Sequence, residues 1–268
     1  MNAGGTSTNS AVITVTTVCQ APAASAATNI QSTAFYANWA AAAGATGYSL
    51  DVSTNSGFVN YVGGTTWSNF SAGAVLTYQV TGLTTNTTYY YRLRTQNGGG
   101  SSTNSAVISL TTAPDAPAVS AATNVQSVTF YANWTAPAGA TGYYIDVSTN
   151  NGFVNFVGSY NNYSAGAATT LQITSLTTNT TYYYRLRSTN AGGGSSTNSA
   201  VITVVTGPDA PVATAATNVL IGSFYANWNA AGGGTTNYWI DVSTNSGFVN
   251  YVGGTTCRTR RRCCQRNH

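Results

Sequence analysis

One stretch, Leu83-Thr-Thr-Asn-Thr-Thr-Tyr-Tyr-Tyr-Arg-Leu-Arg94, returns letter for letter as Leu176 to Arg187, and it constrains the fold more than anything else in the chain. It opens as a Thr/Asn turn. It then alternates Tyr89, Tyr91 and Leu93 with Tyr90, Arg92 and Arg94. A period of two, apolar against polar, predicts a β-strand with one face in a core and the other turned away from it. Because the stretch is repeated, the core must be repeated as well.

The repeat can be followed outward from there. Trp39, Trp134 and Trp228 recur at spacings of 95 and 94 residues. The reading gives two complete units, 20–112 and 113–206, then a truncated third unit at 207–256. Residues 1–19 carry the last strand of a preceding truncated unit plus a linker, because 2–17 match Asn190 to Thr206 with one glycine fewer. The text changes abruptly after Thr256 into an Arg- and Cys-rich tail, 257–268, which is expected to be non-native to the array. The third unit has no counterparts of Tyr78, Val80, Leu83, Tyr89, Tyr91, Leu93, Ile108 and Leu110, so it is expected to be unfolded or loosely ordered.

Within one unit, Ala34 to Trp39 reads as a strand with Phe35, Ala37 and Trp39 on one face. Tyr48, Leu50 and Val52 form the inner face of the next. Asn55-Ser56-Gly57 reads as a hairpin turn, since Asn and Gly tolerate positive φ, and Phe58 to Val62 as a short return strand. Tyr78 and Val80 precede the central stretch, the Gly98-Gly99-Gly100 loop follows it, and a last strand carries Ile108 and Leu110. About seven short strands with no helical period predict an all-β chain of antiparallel β-sandwiches. Prolines at 22, 114, 117, 208 and 211 predict short, stiff junctions.

These residues resemble the fibronectin type III family. Trp39 and Trp134 sit at its inward tryptophan position, and Leu83 with Tyr89, like Leu176 with Tyr182, fits its pattern of a leucine six positions before a tyrosine. The resemblance implies tandem immunoglobulin-like sandwiches, two complete and one truncated. In them Tyr89 and Tyr182 form the tyrosine corner, each hydroxyl bonded back to the turn backbone. The wording Asp51-Val-Ser-Thr-Asn and Asn-Thr-Thr-Tyr-Tyr-Tyr-Arg is similar to tandem modules of large bacterial secreted or cell-surface proteins, which implies an extracellular or cell-surface location. No Arg-Gly-Asp stands before the last strand, so integrin binding does not carry over.

Charge narrows the function classes. The chain has no Lys or Glu, and five of its nine Arg lie between Arg258 and Arg266, so the units are close to neutral. Nucleic-acid binding needs clustered cations on a folded surface and is not expected. No apolar run reaches the ~18 to 20 residues of a membrane span, so no membrane insertion is expected. The single His is in the tail and no two carboxylates lie on adjacent strands, which gives no expectation of catalysis. Cys257, Cys263, Cys264 and His268 have ligand types for zinc but not its paired spacing, and no cofactor or metal is expected. The Gly98 and Gly192 runs lack a following Lys-Ser/Thr or helix and read as plain loops, not phosphate cradles.

What remains is the outer sheet face. Asp51 and Asp146 are expected to point outward and to pair with Arg92, Arg94, Arg185 and Arg187 across the sheet, contributing ~0.2 to 1 kcal/mol and helping to set register. Tyr90 and Tyr183, with Tyr144 in the second unit and Trp239 in the third, complete a candidate interaction face for extracellular glycans or surface proteins. The sequence therefore points to a non-catalytic spacer or adhesive array whose other partners are its own neighbouring modules. An accessory segment of a secreted polysaccharide-degrading enzyme, or a subunit of an extracellular filament, are the other expectations.

Overall fold

In a computed structural model, residues 4–5, 8–232, 235 and 237–252 are described. They contain no helix. The first unit has eight strands: β1 (Ala24–Thr28), β2 (Ala34–Trp39), β3 (Gly47–Ser53), β4 (Phe70–Gly73), β5 (Thr77–Thr81), β6 (Thr88–Asn97), β7 (Gly100–Ser101) and β8 (Ile108–Thr111). One sheet runs β1-β2-β5. The other runs β4-β3-β6, with both β7 and β8 paired to β6. The second unit repeats this as β9 (Ala118–Thr123), β10 (Phe130–Thr135), β11 (Gly142–Ser148), β12 (Tyr163–Gly166), β13 (Thr170–Ile173), β14 (Thr181–Thr189) and β15 (Ile202–Val205), in sheets β9-β10-β13 and β12-β11-β14-β15.

Each pair of sheets closes over one apolar cluster. In the first unit Phe35, Ala37, Trp39 and Val80 come from one sheet, and Tyr48, Leu50, Val52, Tyr91 and Leu93 from the other. The second unit has its own cluster, including Phe130, Trp134, Ile145, Tyr184 and Leu186. The period of two read from sequence is the burial pattern of β6, where Tyr89, Tyr91, Leu93 and Thr95 are buried and the residues between them are half-covered.

Two tyrosines of the triplet do different work. Tyr89 lies at the start of β6, where its hydroxyl accepts the Thr84 N–H at 2.8 Å; Tyr182 accepts that of Thr177 at the same distance. Tyr91 and Tyr184 instead cross the sandwich. Tyr91 stacks on Phe35 and donates to the Ser25 carbonyl, and Tyr184 stacks on Phe130 and donates to the Ser120 carbonyl at 2.7 Å. A buried polar group is tolerated when it is bonded, and these bonds tie the first strand of each unit to the opposite sheet.

Three sequence expectations need correction. Phe58 to Val62 is a turn and not a return strand; within it only Tyr61 bridges, to Ser53. The residue with positive φ there is Phe58 (56°), not Asn55 or Gly57. Asn55 holds the turn by accepting the Gly57 and Phe58 N–H groups, and left-handed backbone at Phe58 ends the extended run. Residues 8–17 are not a strand either. A last strand exists by pairing with the one before it, and here Val12, Ile13 and Val15 lie exposed. The edge strands β1 and β4 were not placed from sequence, because Ala-Ser-Ala-Ala-Thr and Phe-Ser-Ala-Gly carry little apolar alternation.

In the third unit β16 (Val212–Leu220) pairs with β17 (Ser223–Asn229) as an open hairpin. Trp228, the counterpart of the 4 % exposed Trp39, is 38 % exposed, and Phe224, Tyr238 and Ile240 line an open groove beside it. The tail 257–268 lies outside the described residues.

Burial pushes the Tyr184 phenol up to about 12, an effect partly countered by the Asn133 backbone N–H; Tyr91 and Tyr143 are raised for the same reason. An acid whose folded pKa is raised costs nothing below the unfolded value near 10, and its stabilisation is lost as pH climbs toward the folded value. Stability of the second unit to urea is therefore expected to fall between pH 10 and about 12, by about 1.4 kcal/mol per pH unit for this group. Tyr184→Phe lowers the baseline but removes that share of the slope, as read from urea midpoints across the same pH range.

Candidate functional site

The candidate face is built on the pairing of β3 with β6. Asp51 is in register with Arg92, Ser49 with Arg94 and Ser53 with Tyr90, so the polar residues of both strands share the side away from the core. In the second unit Asp146 faces Arg185, Tyr144 faces Arg187 and Ser148 faces Tyr183.

Although it points away from the core, Asp51 is only 2 % exposed, as is Asp146. The cover is made by the arginines and the loops that follow β3. Arg92 Nε donates to Asp51 Oδ2 at 2.9 Å and Arg94 donates to Oδ1 at 3.2 Å. The backbone N–H of Asn69 donates to Oδ1 at 2.7 Å, and the Asn69 side-chain oxygen accepts from Arg94 at 3.0 Å. Asp146 repeats this with Arg185 at 3.0 Å, Arg187 at 3.4 Å and the Asn162 N–H at 2.7 Å. Both carboxylate oxygens are thus occupied. The arrangement is a charge-assisted clamp, with the guanidiniums still partly open to solvent.

Each clamp is roofed by an aromatic ring. The Arg92 guanidinium lies 4.0 Å from the centre of the Phe58 ring, and Arg185 lies 4.0 Å from that of Phe153. The left-handed backbone at Phe58 and Phe153 turns each ring down onto the arginine, where it is buried. Strain of ~1 to 3 kcal/mol at such a φ is offset by ring burial and by a cation–π contact worth ~0.5 to 2 kcal/mol.

The aromatic members of the predicted face are less available than the sequence reading supposed. Tyr90, Tyr144 and Tyr183 are half-covered, lying among cross-strand neighbours, whereas Trp239 is 61 % exposed on a segment that is not a strand. The residues missed from sequence are Phe58, Asn69 and their counterparts. A signal was present: Asn69 and Asn162 each open an Asn-aromatic-Ser-Ala-Gly segment shortly after the paired Asp. Among the described residues no three His, Cys, Asp or Glu side chains gather where they could hold a metal ion, and no helix is long and apolar enough to cross a membrane.

The model of the family described as "Fibronectin type III domain" matches residues 20–111 and again 114–205. No curated protein matches the chain. Among solved structures, the crystal structure of chicken CNTN1 FN1-FN3 domains is similar at a TM-score of 0.40 and 17% identity, over 70% of this chain and 69% of that one.

The clamp gives a direct expectation for stability. Asp146→Ala leaves two arginines facing each other without their shared carboxylate, and should cost on the order of 3 kcal/mol, the low end for breaking a buried pair because the arginines keep some water. Chemical denaturation of the second unit measures it; a loss below about 0.5 kcal/mol, the size of a surface substitution, would show the clamp to be idle.

Proposed function

The chain belongs to the fibronectin type III family, and from that premise we propose that it is a non-catalytic structural spacer in a secreted or cell-surface bacterial protein. The observation that supports this most is how the sheet-face charges are used. Asp51, Arg92 and Arg94 in one module, and Asp146, Arg185 and Arg187 in the next, are committed to internal ion pairs. A face whose charged groups are already partnered to one another has few left to recognise a ligand with, whereas it serves a module that must stay folded under load.

The path of the chain supports the same reading. Seven principal strands in alternating directions bring it out of each sandwich at the end opposite its entry, so modules add end to end. An adhesive array is the alternative use of that geometry. It would rely on Tyr90, Tyr144 and Tyr183, with extracellular glycans or surface proteins as partners, gaining strength by repetition of weak contacts. The half-covered state of those rings favours the spacer.

Antibodies raised against residues 20–206 test the setting. They are expected to label intact cells of the source, or material shed into its medium. Labelling confined to permeabilised cells would contradict the extracellular role. On glycan arrays and in pull-downs with surface proteins, a spacer shows no saturable binding; saturable binding lost in Tyr90→Ala and Tyr183→Ala would transfer the assignment to the adhesive reading.

A further inference from the structure

The glycine-rich loops after β6 and β14 are set against the chain that leaves the preceding module. Asn190 is the first residue after β14 and is buried; its amide donates to the Thr112 carbonyl at 2.8 Å and to Asn86 Oδ1 at 3.3 Å, both in module one. Ser188 Oγ donates to the Asp115 carbonyl at 2.5 Å, and the Ser195 N–H reaches back to the Ile30 carbonyl at 3.1 Å. A Cβ at Gly192 would lie 3.1 Å from the Thr111 Cβ, and one at Gly194 would lie 3.0 Å from the Ala113 nitrogen. Ala113 is fully buried between the two modules. Its N–H donates to the Gln31 carbonyl and its own carbonyl accepts from Asn86, while the Pro114 carbonyl accepts the Ser32 hydroxyl.

The same contacts are made at the entry to module one by residues 16–20, with different residues at several places. Asn97 donates to the Thr17 carbonyl at 2.9 Å, where Asn190 uses Thr112. Thr95 Oγ1 donates to the Gln20 carbonyl at 2.9 Å, where Ser188 uses Asp115. A Cβ at Gly99 would meet the Thr16 carbonyl oxygen at 2.4 Å. At the far end of module two, the Gly207 N–H bonds the Gln126 carbonyl and the Asn179 N–H bonds the Gly207 carbonyl, as Ala113 does with Gln31 and Asn86.

We infer that the Asn-x-Gly loop following the sixth main strand is a docking site for the end of the previous module, so that the array is a rod of fixed joints rather than beads on a flexible thread. Relative motion is the default for domains that meet over a small polar surface. Here the linker is absorbed into the contact: residues 112 to 115 are bonded on one side to module one and on the other to module two. Apart from that between Asn190 and Asn86, the bonds reach backbone carbonyls, which any residue supplies, so they survive changes of side chain from copy to copy. Gly99, Gly192 and Gly194 are thereby explained by close approach. This inference deepens the spacer reading and rests on it for its purpose, but the stiffness of the joint is measurable whatever the array carries.

The test uses the whole chain with Cys19, Cys257, Cys263 and Cys264 changed to Ser, and spin labels at Gln79→Cys and Gln172→Cys, equivalent exposed positions on β5 and β13. Double electron–electron resonance is expected to give one narrow distance distribution. Gly192→Val with Gly194→Val, and separately the milder Asn190→Ala, should broaden it at least twofold while the far-ultraviolet circular dichroism of the sandwiches is unchanged. A broad distribution in the unvaried joint, or variants that leave a narrow one narrow, would overturn the docking site. Saturable ligand binding with a narrow distribution would instead sink the spacer reading alone.

Discussion

Each module hangs on the ladder between its third and sixth strands. Seven consecutive residues pair in register, from Gly47 with Gln96 to Ser53 with Tyr90, and the same seven-step ladder joins β11 to β14. That register decides both faces at once. It sets Leu50 opposite Leu93 and Val52 opposite Tyr91 in the core, and Asp51 opposite Arg92 on the other side. A slip of one residue would drive the arginines inward and turn the tyrosine and leucine out, so the core and the Asp–Arg clamp enforce the same alignment. The strand β3 is buried along nearly its whole length because both of its faces are covered, by the opposite sheet on one side and by the clamp and the Phe58 turn on the other.

The third unit shows which parts of this are local and which depend on the ladder. Its Asp241-Val-Ser-Thr-Asn-Ser-Gly-Phe-Val-Asn segment makes the same turn, with Phe248 at a φ of 54° and its N–H bonded to the Asn245 carbonyl. The turn is therefore written in its own residues. The ring of Phe248, however, is 48 % exposed where that of Phe58 is buried, and residues 238–242 are not a strand. Among the described residues of this unit there is no counterpart of β6 for 238–242 to pair with and no arginine beside the ring.

This division also explains what could be read from sequence. Strands that alternate large apolar residues with polar ones, such as Ala34 to Trp39 and the Tyr-Tyr-Tyr-Arg-Leu-Arg stretch, declare themselves. Edge strands built from Ala, Ser and Thr do not, since their place is fixed by the neighbours they pair with. The outward direction of Asp51 was legible from the period of two, but its burial was not, because the cover comes from a phenylalanine in left-handed backbone and an asparagine 18 residues away. Periodicity reports which side of a sheet a residue occupies and says nothing of what folds over that side. The glycine runs were legible as loops for the same reason, while their contacts with the preceding module required coordinates.

Amide hydrogen exchange, resolved by residue, tests most directly whether two independent ladders hold the molecule. The account predicts that amides of 48–52 with 89–95, and of 143–147 with 182–188, exchange only through global unfolding of their own module, while those of 8–15 and of 212–229 exchange orders of magnitude faster. Protection at 212–229 equal to that of the two ladders, or rapid exchange at 89–95, would contradict it.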